Sequence, residues 1–310
     1  MKNKFIEILL FLSIILLIIA PKTAFAATSA GLILWFNTII PSLLPFLIVS
    51  SLVVKLNLLK HFDRFLEPIV YKLFKLPPCA IYPIFFGIVS GYPTGAKVTA
   101  DLYADKYITK KEAEYLLSFC NNCNPMFLIG FVCISQLKMS KGIWIIPLIV
   151  YLSSFMSALF LRPFLLDKNS ETHNTTKYSP KKFRFSLELF DECIFNSCAI
   201  LLKVGVYIII FSIIAGFISL IPIHFEIGKA LLIGFVELTN GISYLSTLTI
   251  TETTKIVLSC TLIAFGGLSI SAQTSSVIAN KGLSSIKYIL CKLINALIAF
   301  LLSLLLFYFI

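Results

Sequence analysis

Long apolar runs separated by short polar turns constrain this chain more than any other feature. They lie at 5–20, 32–54, 115–136, 143–165, 196–222, 254–275 and 287–310. A helix needs about 17 to 25 such residues to cross a bilayer. A backbone in lipid finds no water to bond, so runs of this kind fold as helices that satisfy their own amides and carbonyls. The chain has only 13% charged residues, whereas a soluble domain carries about 25%. The expected fold class is therefore an all-α polytopic membrane protein.

Two shorter apolar runs, 77–91 and 228–245, carry internal glycines and stop early. Interrupted segments of this length mark re-entrant or broken helices, tolerated only where they face protein or a wet cavity. Charge orients the set. Lys55, Lys60, Arg64, Lys72 and Lys75 precede the first short run, and Lys97, Lys106, Lys110 and Lys111 follow it. A polar linker at 167–192 adds Lys168, Lys177, Lys181, Lys182 and Arg184. All three groups are expected on the cytoplasmic side, with Lys22, Lys138, Lys141, Lys229 and Lys255 outside. Basic stretches on both flanks of 77–96 can share a side only if that segment enters and leaves by one face.

The net charge of +11 is thus a loop property, and the bilayer rather than nucleic acid is the expected partner. Eight cysteines scatter through apolar segments without a disulfide framework. Cys120-Asn-Asn-Cys123 has redox spacing but lacks a βαβ setting. His61, His173 and His224 lie in loops, and no HExxH, GxSxG or ATP-binding loop occurs. An enzyme, a cofactor and a metal site are not expected. A homo-oligomer is left open.

The order expected is an N-terminal segment (1–30), a first membrane repeat (31–166), the linker (167–192) and a second repeat (193–310). The N-terminal segment imitates a secretory signal with Ala24-Phe25-Ala26 as its cleavage motif; retention as a first helix is the favoured alternative. The repeat rests on two alignments. PIFFGIVSGYPTGA pairs with ALLIGFVELTNGIS, setting Gly87 on Gly234 and Ser90 on Glu237. ITKKEAEYLLSFCNNCNPMFLIG pairs with ITETTKIVLSCTLIAFGGLSISA, setting Thr109 on Thr251 and Asn124-Pro125 on Gly266-Gly267. Thr109-x-x-Glu112 and Thr249-x-x-Glu252 read as capping boxes at the two helix starts. Chance similarity among Ile, Leu, Gly and Thr competes with this reading. If the first hairpin enters from inside and the second from outside, the repeat is inverted and builds a midplane site from broken helices of both halves.

PSLLPF (41–46), SGYPTGAK (90–97), ITKKEAEYLLSFCNNCNPMF (108–127), ELTNGI (237–242) and FGGLSISAQ (265–273) resemble the YlbJ-type sporulation integral membrane proteins. The resemblance covers residues 30–290. It implies the nucleoside-recognition or gate domain shared with nucleoside and ferrous-iron carriers, a role in endospore formation, and export of dipicolinate across the outer forespore membrane. Asn124 departs from the pattern, which favours a small residue there.

Dipicolinate is a flat ring with two carboxylates, and a membrane site for it needs oriented donors. Helix N-termini offer amides and a positive dipole end. The turns Ser90-Gly91-Tyr92-Pro93-Thr94-Gly95 and Gly266-Gly267-Leu268-Ser269 are the candidate places. Lys97 either neutralises a carboxylate or snorkels at the cytoplasmic end. Asn121, Asn122 and Asn124, beside Pro125, face the interior as site or as interhelical glue. Glu237 is the acidic residue inside an intramembrane segment, suited to carry a coupling proton or bind a cation. Thr239, Asn240, Ser271 and Gln273 complete the set. Tyr92 either stacks on a ring or belongs to an interfacial belt. The preferred function is a secondary carrier for a small organic anion. The alternatives are a nucleoside or ion carrier and a non-transporting assembly protein of the spore envelope.

Overall fold

A computed structural model describes residues 14–56, 70–166 and 184–308, together with Phe11, Leu58 and Pro68. Half of the run 5–20 (residues 5–10, 12 and 13) and residues 167–183 of the linker lie outside the described residues. The regular structure of the described residues is all helical, without strands, and five of the helices are long and apolar enough to cross a membrane.

The first span starts earlier than hydropathy suggests. α1 (Pro21–Leu34) opens on a proline, tolerated there because the first helical N–H needs no intrahelical partner. It passes through a π-helical turn at Trp35–Ile39 into α2 (Ile40–Lys55) without stopping. α7 (Leu187–Ser219), capped by the Ser186 hydroxyl on the Leu189 N–H, runs beside both. The Trp35 indole donates to the Leu201 carbonyl at 3.0 Å, and its ring lies over Gly205.

Each half then holds a short hairpin. In the first, α3 (Ile81–Val89) turns into α4 (Thr94–Ala104). In the second, α8 (Glu226–Val236) turns into α9 (Leu238–Thr247). Glycine allows the arms to touch: a Cβ on Gly241 would stand 2.1 Å from the Gly234 Cα, and one on Gly95 2.9 Å from the Gly87 Cα.

A broken helix follows each hairpin and interrupts the apolar runs 115–136 and 254–275. α5 (Lys110–Phe119) ends at Cys120, the chain extends through Asn121–Asn124, and helix resumes as a π-helical segment at Phe127–Gln136. α10 (Glu252–Phe265) ends on left-handed Gly266, from which α11 (Gly267–Ile278) departs. The spans α6 (Ile145–Leu165) and α12 (Ser285–Tyr308) complete the halves. The capping box at Thr109 and Glu112 is present. The one expected at Thr249 is not: α10 begins at Glu252, so Thr251 is its cap and bonds the Thr254 N–H at 3.2 Å. Glu252 becomes the first helical residue, where its charge still suits the positive end.

Contacts at the helix ends sort the loops. Lys55 pairs with Glu192, Arg162 reaches the Leu73 carbonyl at 3.2 Å, and Lys287 pairs with Glu114 at 2.6 Å. These gather both ends of the α3–α4 hairpin with Lys72, Lys75, Lys106 and Lys110. At the opposite end Lys255 donates to the Ser246 carbonyl at 2.6 Å, Ser246 meets Gln136 at 3.5 Å, and Tyr244 bonds Glu226. The two hairpins thus start from opposite ends of the bundle. With exposed Cys198 replaced by serine, Lys72→Cys and Lys106→Cys are expected to react with an impermeant maleimide from one side and Lys138→Cys from the other. Labelling of positions 106 and 138 from the same side would overturn this arrangement.

Candidate functional site

The hairpin tips point at one another across the broken helices. Gly91 takes φ +74°, a conformation that glycine adopts without strain, and this lays the first tip on the first break. The Tyr92 N–H donates to the Asn122 carbonyl at 2.9 Å, and the Tyr92 hydroxyl contacts the Cys123 thiol. At the second tip Glu237 is the N-cap of α9: its Oε2 accepts the Asn240 N–H at 2.8 Å and the Thr239 hydroxyl.

A non-helical stretch inside a membrane protein must find partners for its backbone, and side chains supply them here. The Phe119 carbonyl accepts from the Asn122 amide at 2.7 Å and from Ser154 at 2.8 Å. Tyr151 donates to the Cys123 carbonyl at 2.8 Å. The Asn121 amide reaches Thr274 at 3.0 Å and Tyr288 at 2.9 Å, tying the break to α11 and α12. The Asn124 side-chain oxygen accepts the Phe127 N–H at 2.7 Å and starts the helix after the break.

Between the tips lies a cavity whose empty space, open solvent included, comes to about 480 Å³. The first hairpin contributes Ser90, Gly91 and Tyr92, the first break Cys123, Asn124 and Phe127, and the second tip Glu237, Leu238 and Thr239. Ile270 and Gln273 come from α11, and Ile39, Leu43, Val204 and Ile208 close the apolar walls. The Ser90 hydroxyl and the Asn124 Nδ2 are buried without a protein partner. Leaving a polar group in that state costs about 1–3 kcal/mol, so two such groups in one cavity suit a ligand or water that bonds them.

Of the residues singled out in the sequence, Ser90, Gly91, Tyr92, Asn124, Glu237, Thr239 and Gln273 line this cavity. The others stand around it. Asn121 and Asn122 brace the break, and the Asn240 side chain bonds Ser212 on α7 at 2.8 Å. Ser271 bonds the Gly267 carbonyl at 3.0 Å, and Ser269 accepts from Gln273 at 3.4 Å. Gly95 packs on the Cys120 carbonyl, the Thr94 hydroxyl is buried without a partner, and Pro93 and Pro125 are half-buried. Gly266 and Gly267 form the second break. Lys97 is exposed and lines no part of the cavity. It stands two residues beyond Gly95, about 200° round α4 from the face that packs on the break.

The basic group nearest this chemistry is Lys292, in the apolar run 287–310. It satisfies the rule that singles out Glu237, and a search for acids alone passes it over. Its side chain is 1% exposed, and its ammonium donates to the Asn121 carbonyl at 3.1 Å and to the Asn122 Oδ1 at 3.4 Å. No carboxylate among the described residues pairs with it. A bare ammonium in such a place costs several kcal/mol. The carbonyl end of α5, the negative pole of its dipole, offsets up to ~2 kcal/mol of that.

No family model matches the chain, and no solved structure matches it. A curated protein does. The chain is 26% identical over 313 residues to the sporulation integral membrane protein YlbJ of Bacillus subtilis (strain 168). The alignment covers 90% of this chain and 76% of that protein. The YlbJ-type resemblance read from the motifs is borne out by this relative along most of the chain.

Proposed function

We propose that this chain is a sporulation membrane protein that works as a secondary carrier for a small organic anion, with dipicolinate as the leading substrate and the outer forespore membrane as its place. The sporulation role follows the YlbJ relative. The carrier role is supported by one observation above the rest: a single cavity gathers both hairpin tips and the broken helices, and holds unpartnered polar groups. Hairpins that start from opposite ends are what an inverted repeat requires. Alternating access then amounts to rocking one half against the other around that cavity.

A second reading keeps a place because of the same lining. It contains a carboxylate and, among the described residues, neither lysine nor arginine. Neutral hydrogen-bonding groups on apolar walls also suit an uncharged ring compound such as a nucleoside. Uptake of labelled dipicolinate by proteoliposomes of the purified protein distinguishes the two. Saturable uptake above empty liposomes, unaffected by excess nucleoside, is the expected result. Uptake of labelled nucleoside without uptake of dipicolinate transfers the function to the second reading, and uptake of neither removes the carrier role.

A further inference from the structure

Lys292 lines no part of the cavity, yet it is buried about two turns into α12. Its ammonium meets two neutral oxygens, one a backbone carbonyl and one a side-chain amide oxygen. The ionisable groups around it are the thiols of Cys120 and Cys123 on the break and Cys291 on its own helix. Carriers built from broken helices hold a coupling cation on unwound carbonyls and on the C-terminal ends of half-helices. The Asn121 carbonyl, just past the Cys120 C-cap of α5, belongs to such an end. A lysine ammonium is a compact point charge with three donors, well matched to oxygen ligands of this kind.

We propose that Lys292 is a built-in cation: its ammonium fills a monovalent-cation site formed by the first break, where a free ion would otherwise sit. The break then carries a positive charge at Asn121 and Asn122, the two residues before the Cys123 and Asn124 that line the cavity. Asn121 and Asn122 are held in place whether or not a salt ion is present. A second consequence rests on the carrier reading: a lysine ammonium behind a wall whose one charged group is a carboxylate favours an anionic substrate over a neutral one.

Removing the tether tests the site directly. Purified Lys292→Ala and the unaltered protein are unfolded by heat at one ionic strength in sodium, methylammonium and N-methylglucamine chloride. The alanine variant is expected to gain about 3 °C or more in sodium or methylammonium over the bulky cation, because an ion that binds only the folded state stabilises it. The unaltered protein should show no such preference. Equal midpoints for Lys292→Ala in all three salts, or an equal gain in the unaltered protein, would overturn the proposal. Should the alanine variant not fold, Lys292→Gln keeps a donor to the Asn121 carbonyl without the charge. A glutamine variant as stable as the unaltered protein in every salt makes Lys292 a hydrogen-bond donor only and equally overturns it; a less stable one that small cations restore supports it. Calorimetric titration with dipicolinate reports separately, with at least tenfold weaker binding expected for Lys292→Gln. If the unaltered protein binds no dipicolinate, the proposed substrate falls while the salt series still decides the cation site.

Discussion

Gly87→Ala is expected to remove nearly all folded protein from the membrane, a loss of about 4 kcal/mol or more. A Cβ at Gly87 would lie 1.4 Å from the Cys120 carbonyl oxygen and 2.7 Å from its carbon. Core side chains absorb overlap by changing rotamer, but this neighbour is backbone. Nor is it free to move: the Cys120 N–H closes the last turn of α5 on the Leu116 carbonyl, and the next residue is fixed by Thr274, Tyr288 and Lys292. The hairpin would have to lift off the break, opening the cavity wall with it. Gly95→Val acts in the same direction, since a Cβ there meets the same oxygen at 2.4 Å. Gly130 is the control, because a Cβ on it meets nothing within 4 Å. Gly130→Ala should be neutral or stabilising by about 0.5–1 kcal/mol, through the lower backbone entropy of alanine. Membrane protein level and thermal midpoint in detergent measure both. Equal behaviour of the two alanine variants would mean that α3 does not rest on the break.

That contact also marks the limit of what the sequence makes legible. Short glycine-bearing runs between basic stretches locate the hairpins, and NNCNP and FGG locate the breaks, because each is a local conflict with a membrane helix. Which hairpin face meets which carbonyl is a tertiary fact, and spacing does not encode it. The cap of α10 shows the same limit on a smaller scale. Threonines at 249 and 251 both suit an N-cap, and only the path of the loop, with Lys255 held on the Ser246 carbonyl, puts Thr251 there. Charge near a motif misleads as well. Lys97 follows the SGYPTGA turn closely but faces outward, whereas Lys292, far away in the chain, reaches the break from α12. Asn124 is a different case: the resemblance implies a small residue there, and a polar one fits because it caps the restart of the helix.

On the carrier reading proposed above, Glu237→Gln is expected to leave the protein stable and to flatten the pH dependence of transport. The structure gives Glu237 a role that has nothing to do with protons. As the N-cap of α9 its Oε2 takes the Asn240 N–H and the Thr239 hydroxyl, and the dipole of α9 offsets part of the burial of its charge. Capping alone does not call for glutamate, since Ser, Asp and Asn are the usual caps. Here both bonds fall on one oxygen, and the residue also lines the cavity. Glutamine keeps an acceptor for both donors, so its stability should lie within about 1 kcal/mol of the unaltered protein. Glu237→Ala leaves the Asn240 N–H without its partner and should cost about 1–3 kcal/mol. The two substitutions therefore separate the cap from the charge. If the carboxylate gains and loses a proton during the transport cycle, glutamine fixes the neutral form and the rate no longer follows pH, although substrate still binds. Rates of dipicolinate uptake across a range of pH, in proteoliposomes of each protein, decide between these roles. Superimposable profiles for Glu237 and Glu237→Gln, beside a destabilised Glu237→Ala, would leave the residue as a helix cap and move coupling elsewhere in the cavity.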